Sequence, residues 1–278
     1  MTRRTTIHQL FNLSGKVALV TGSRNLGYDM AEALAELGAT VIVTSRDQAI
    51  AEQHAALLAG TTGANVKGMA LEVSNEQSWQ HVIASIVQKY EKIDILVNNA
   101  GGRKVTNQAE NHIDSIVAQY VEQRELEEWK QSLDNNLTSV FLGCKTVTPY
   151  MKEAGYGKII NIASIDGIVG RDLRIYQNTG FAPTVPDYLA CKAGVIQLTK
   201  GYAVALAPYG IYVNAISPGG FERNQPQSFI ANYSQLVPLQ RMGRDRIDIK
   251  GAIAYLASAA SDYTVGHNLV VDGGLTTW

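Results

Sequence analysis

The chain has 278 residues, 46% of them hydrophobic and 18% charged, with a formal net charge of −1. That is a globular composition with room for a sizeable core, and its near-neutral balance gives nucleic acid or an anionic membrane no electrostatic hold. The two cysteines, Cys144 and Cys191, fall inside helical patterns and read as buried thiols rather than a bridge or metal site, which suits a reducing compartment.

Residues 1–13 read as an N-terminal arm. Arg3 and Arg4 precede no apolar run long enough for a signal peptide, and no stretch approaches a membrane span, so a cytoplasmic location is expected. The run 17–20 is the first buried strand. After it, Thr21-Gly22-Ser23-Arg24-Asn25-Leu26-Gly27 opens an amphipathic helix through Met30, Leu34 and Leu37, which Gly38 closes. Glycines at such a turn let backbone amides approach a pyrophosphate, whose charge the helix N-terminus favours. Further short apolar runs at 41–43, 93–97, 159–162, 211–215 and 269–271 alternate with helical segments. Their near-continuous hydrophobicity predicts a parallel sheet covered on both faces, hence one doubly wound α/β domain over 14–278. Two stretches break the rhythm. Residues 102–128 are long and polar, and 167–187 carry Asn178, Gly180, Pro183 and Pro186. Both follow strand ends where open α/β sheets bind ligands, so they are either surface insertions or substrate-side loops.

Tyr188 and Lys192, four residues apart on a predicted helix, share one face. Moving a tyrosine from a pKa near ~10 to roughly 7.5 needs about 3.4 kcal/mol of preference for the phenolate. A cation at about 4 Å supplies roughly 4 kcal/mol at an effective dielectric of 20. One lysine at this spacing therefore suffices to make an acid–base tyrosine.

In chain order the pair stands among Thr21–Gly27, Asn98-Asn99-Ala100-Gly101, Asn136, Ser164, Pro218-Gly219 and Val271-Asp272-Gly273-Gly274. That ordered set resembles the single-domain short-chain dehydrogenase/reductase family over nearly the whole chain. The resemblance implies a Rossmann-type fold with a seven-stranded parallel sheet, a nicotinamide cofactor and hydride transfer between alcohol and carbonyl. It implies that Tyr188 exchanges a proton with the substrate oxygen and that Lys192 lowers its pKa and binds the nicotinamide ribose. Ser164 would hydrogen-bond the same oxygen, and Asn136 would hold a water linking Lys192 to solvent. Gly22, Ser23, Arg24, Asn25, Leu26 and Gly27 would surround the pyrophosphate. Glu72 and Val73 would lie near adenine, Asn99, Ala100 and Gly101 on the adenine-ribose side, and Pro218 and Gly219 by the nicotinamide. A homotetramer is expected by the same analogy, with no metal.

Departures from the family pattern carry information. The phosphate turn is one residue short, with Asn25 where the middle glycine belongs; Asn tolerates left-handed geometry better than most residues. An acid that would accept ribose hydroxyls at the end of the second strand is replaced by Ser45, followed by Arg46. With Arg24 in the turn, two guanidiniums suit a 2′-phosphate, so NADP(H) is expected over NAD(H), and Asp47 is expected to cap the next helix. Arg223 stands where a threonine would hold the carboxamide. Asp166, Arg171, Arg174 and Arg223, with Arg103 and Lys104, fall on predicted ligand-side loops and point to a polar or sugar-acid-like substrate, unless they are solvated charges. Two alternatives stay open: an NAD-linked gluconate-type dehydrogenase, and a non-catalytic dinucleotide sensor or scaffold.

Overall fold

The computed structural model describes residues 5–102, 122–180 and 183–278. Seven strands form one sheet: β1 (Val17–Val20), β2 (Thr40–Ser45), β3 (Val66–Ala70), β4 (Ile95–Asn98), β5 (Gly157–Ile162), β6 (Ile211–Pro218) and β7 (Asn268–Val271). Their order is β3-β2-β1-β4-β5-β6-β7, and every neighbouring pair is parallel. The chain winds outward from β1 to β3, then returns to start the other half at β4. The topological switch point therefore lies between β1 and β4.

Alternate residues of β1, β2, β4, β5 and β6 feed two cores, the reason these strands read as unbroken apolar runs. Ala18, Val20, Val41 and Val43 pack with Met30 and Leu34 of α2 (Leu26–Glu36), Leu58 of α3 (Gln48–Thr62), and Ile253 and Leu256 of α9 (Lys250–Ala257). Leu19, Ile42, Leu96, Ile159 and Val213 point the other way. They meet Trp79 and Ile83 of α4 (Glu76–Tyr90), Val147 and Met151 of α6 (Ser139–Ala154), and Val195 of α7 (Pro186–Leu206). The six apolar runs of the sequence all fall on strands. β3 is the one they omit: an edge strand reading Val-Lys-Gly-Met-Ala, in which only Val66 is buried.

Residues 5–13 are not a bare arm. Thr6 and Gln9 form a capping box for the short helix α1 (Ile7–Phe11), and Leu13 is in the core with its N–H donating to the Leu37 carbonyl at 2.9 Å. Within 102–128, most residues lie outside the described part, Arg103 and Lys104 among them; α5 (Leu126–Leu133) begins inside this stretch. The stretch 167–187 is ordered where described. It contains a 3₁₀ turn (Leu173–Tyr176) and ends as Pro186 starts α7, its ring suited to a first-turn position. Ile175 and Tyr176 join Phe229 and Tyr233 of α8 (Gln227–Leu236), with Ile165, Val237 and Met242, in a third apolar cluster over the C-terminal ends of the strands. Among the described residues no helix is long and apolar enough to cross a membrane.

Candidate active site

The β1–α2 turn is built to bring backbone close to a ligand. Gly22 has φ 80°, and a Cβ on Gly27 would collide with the Gly22 carbonyl. Asn99 braces the turn by donating its Nδ2 to the Thr21 carbonyl at 2.9 Å, and the Thr21 hydroxyl accepts from Ala100 N at 2.9 Å. The shortened loop closes with Asn25 at φ 52°, ψ −129°. Asn25 makes no side-chain cap, so no side chain of the N-cap competes for the first-turn amides of α2.

The end of β2 adjoins this turn, since Gly22 N donates to Thr44 Oγ1 at 3.3 Å. Ser45 Oγ accepts from Asp47 N at 3.3 Å, and the Asp47 carboxylate accepts from Ile50 N at 3.2 Å, capping α3 as its position predicts. Arg24 and Arg46 are both exposed here. Sequence reading missed His54, whose Nδ1 lies 2.8 Å from Ser23 Oγ. Burial and the nearby Arg24 charge hold its imidazole below the usual range. No local motif announces it, because it arrives from α3. Glu72 is occupied by Ser74, accepting from its hydroxyl at 2.9 Å, and the Val73 carbonyl accepts from Trp79 Nε1 at 2.9 Å.

Across the switch point, α5 runs into α6 through a π-helical turn, Asp134–Thr138. The widened turn carries Asn136, fully buried, whose Nδ2 donates to the carbonyls of Gly102 (3.1 Å) and Ser132 (3.0 Å). Its Oδ1 accepts from Gly102 N at 2.8 Å, and a Cβ on Gly101 would come within 2.7 Å of that oxygen. Ser164 follows β5, buried, with Oγ accepting from Asp166 N at 3.1 Å. Lys192 is buried and donates to the Ile162 carbonyl at 2.7 Å, beneath the strand end that carries Ser164. Its Nζ is 5.5 Å from the centre of the Tyr188 ring. Burial lowers the Lys192 pKa to about 8, against which Cys191 and Asp166 act weakly upward. Gly167 lets the segment after Ser164 lie against α7, since a Cβ there would come within 2.5 Å of the Lys192 backbone. Pro218 ends β6, and Gly219 N donates to the Val271 carbonyl at 2.9 Å.

The four substrate candidates do not converge. Asp166 and Arg171 pair with each other at 2.6 Å, both largely buried, and the Arg171 guanidinium lies 5.9 Å from the centre of the Tyr233 ring. Tyr233 OH accepts from Gly220 N at 2.6 Å, so this pair reaches the loop after Pro218-Gly219. Arg174 is exposed and spent on Asp172 of its own turn, at 2.6 Å. Arg223 bridges to Asp29 of α2 at 3.0 Å and also pairs with Asp245. It lines a cleft of about 750 Å³ with Ser23, Arg24, Tyr28 and His54, beside the phosphate turn rather than beside Ser164. Asp29 itself is pushed above the usual carboxylate range by burial and by Asp245, with Arg223 opposing. Among the described residues no cluster of acids, histidines or cysteines could hold a metal ion.

The sequence pattern of the enoyl-(acyl carrier protein) reductase family matches residues 20–276. The chain belongs to the short-chain dehydrogenase/reductase family. It is 39% identical over 270 residues to the 3-oxoacyl-(acyl-carrier-protein) reductase FabG of Vibrio cholerae, covering 95% of this chain and 98% of the relative. It is 34% identical over 267 residues to the trans-4-hydroxycyclohexanecarboxylate dehydrogenase of Sinomonas cyclohexanicum, covering 94% and 93%. A crystal structure of a gluconate 5-dehydrogenase from Burkholderia cenocepacia in complex with NADP and tartrate is 31% identical, with a TM-score of 0.84 over 98% of this chain and 100% of that one. This short-chain dehydrogenase/reductase is thus an NAD(P)-dependent oxidoreductase acting on CH–OH groups. The glycine cradle fits such a cofactor: a Cβ at Gly22 would stand 3.1 Å from Asn99 Nδ2, and any side chain at Gly27 would fill the turn.

Proposed function

We propose that this enzyme prefers NADP(H) and moves a hydride between nicotinamide and the carbonyl or secondary alcohol of a polar, carboxylate-bearing substrate. The observation that carries the reading is Lys192, buried against the end of β5 with its ammonium 5.5 Å from the Tyr188 ring. When bound, the nicotinamide supplies or takes the hydride. Tyr188 gives its phenol proton to the carbonyl oxygen in reduction and takes it back in oxidation. Ser164 donates to that oxygen as negative charge grows on it. Lys192 keeps a positive charge beside the phenol, favouring its ionised form. Asn136 fixes Gly101 and Gly102, the wall between the switch point and the site, and lies on the path by which the lysine proton reaches solvent.

Cofactor preference rests on the end of β2. Asp47 spends its carboxylate on the α3 cap, and the exposed Arg24 and Arg46 suit a 2′-phosphate. The NADP in the gluconate 5-dehydrogenase relative supports the same choice. Glu72 and Val73 would then flank the adenine, and Asn99, Ala100 and Gly101 the adjoining ribose. Pro218 and Gly219 would border the nicotinamide. For the substrate, Arg171 retains a buried Nε with no partner among the described residues, a donor suited to a carboxylate or hydroxyl oxygen. Relatives named for gluconate and for a hydroxycyclohexanecarboxylate support that polarity.

The test is kcat/KM with NADPH and NADH against sugar acids, hydroxy acids, ketosteroids and simple ketones. A clear NADH preference overturns the cofactor reading, and preference for bulky apolar ketones overturns the polar pocket. Absence of all turnover despite NADPH binding would make the protein a sensor. A homotetramer joined through α6 and α7 fits the exposed Phe141, Val204 and Tyr209; light scattering checks it. The buried free thiols of Cys144 and Cys191 fit a cytoplasmic location.

A further inference from the structure

Asp187 immediately precedes Tyr188 in the first turn of α7 and is only 1% exposed. It is not a solvated loop charge. Arg124, from the segment leading into α5, holds it in a two-point grip: Nε to Oδ1 at 3.1 Å and Nη2 to Oδ2 at 2.8 Å. The remaining Nη1 of Arg124 pairs with Glu128 at 2.9 Å, one turn along α5. A second tie joins the same two helices, where Cys191 Sγ lies 3.5 Å from the Ser132 carbonyl. Ser132 O also accepts from Asn136. The grip therefore joins the helix that leads to Asn136 with the helix that carries Tyr188 and Lys192.

We propose that Arg124 and Asp187 are a positioning pair: they seat the first turn of α7 and keep the charge beside the Tyr188 phenol balanced. The carboxylate is too buried to be screened by solvent, so its charge is felt along the helix; it acts upward on the Cys191 thiol one turn away. Paired with Arg124, it opposes Lys192 little. Unpaired, either partner would tilt the balance, in opposite directions. Among the described residues, Lys192 shares the helix of the phenol, and Asp166, paired with Arg171 from the segment after β5, acts on that lysine. Glu128 faces Arg124 from α5.

The inference rests on Tyr188 as the proton donor, and the experiment separates the two. The basic limb of the kcat/KM profile for carbonyl reduction is measured in the parent, Arg124→Met, Asp187→Asn, the double variant and the swapped pair R124E/D187R, with folding checked by thermal denaturation. Arg124→Met leaves a bare carboxylate and should raise the limb by about half a pH unit. Asp187→Asn leaves a bare guanidinium and should lower it by a similar amount. The double variant should return to the parental position. The swapped pair, which keeps an ion pair and so covers the case in which the single variants fail to fold, puts the cation on the residue next to Tyr188 in the chain and should lower the limb. Loss of kcat with no movement of the limb, or movement in one direction for both single variants, overturns the proposal. An active Tyr188→Phe overturns the proton-donor reading instead.

Discussion

The Lys192 ammonium lies 5.5 Å from the centre of the Tyr188 ring while donating to the Ile162 carbonyl at 2.7 Å. One cation is thereby shared between a strand end and a phenol. Burial brings its pKa to about 8, so in the free enzyme the lysine loses its proton close to the physiological range. On the proposed reading the tyrosine works while that ammonium carries its charge, so the break in the rate follows the lysine. We expect kcat/KM for reduction to be flat below about pH 8 and to fall about tenfold per unit above it. A rate profile from pH 6 to 10 measures this; a flat line across that range contradicts it.

The same burial costs stability. A lysine whose folded pKa is about 8, against the ordinary lysine value of 10.5, disfavours the native state while it is charged. The penalty is full below pH 8, shrinks as pH rises from there, and is gone above the unfolded value. Its upper bound is roughly 3 kcal/mol. Lys192→Met should therefore fold more stably than the parent by about 1–3 kcal/mol at pH 7, the gain vanishing by about pH 10.5, while catalysis is lost. Urea denaturation at several pH values checks the sign.

Asn25 is strained at φ 52°, ψ −129°, and its side chain caps nothing. Asn25→Gly should raise stability by about 1 kcal/mol with little change in cofactor affinity. Gly27→Ala, by contrast, should weaken NADPH binding by at least about tenfold, because its methyl would drive into the Gly22 carbonyl and open the turn. Calorimetry of both variants gives the comparison.

If the two guanidiniums hold the 2′-phosphate, as proposed, replacing Arg24 and Arg46 together by glutamine should raise the Kd for NADPH by about tenfold or more and leave that for NADH nearly unchanged. Equal loss for the two cofactors would mean that the guanidiniums serve the fold. Fluorescence titration of each cofactor reads this directly.

How much was legible follows from range in sequence. Strand runs such as 17–20 and the Tyr188–Lys192 spacing are local patterns, and both are visible without coordinates. β3 was hidden because an edge strand with Lys67 and Gly68 needs no continuous apolar run. The Arg124–Asp187 grip joins residues 63 apart, and His54 reaches Ser23 from 31 residues away; no local periodicity encodes either. The arginines expected to share one pocket dispersed because each had an acid closer to hand: Asp166 for Arg171, Asp172 for Arg174, and Asp29 with Asp245 for Arg223.

The wide turn at 134–138 makes α5 and α6 one rod with an extra residue wound into it. Five residues of a wide turn cover roughly the arc that four cover in an α-helix, so removing a single residue there would restore ordinary winding and keep the helix on either side in phase. Removing one from the regular winding between Leu126 and Leu133 would instead turn everything upstream by about 100°, and Arg124 would swing off its carboxylate although its own sequence was untouched. The wide turn is thus the one place along this rod where the chain can be shortened without re-aiming a lever.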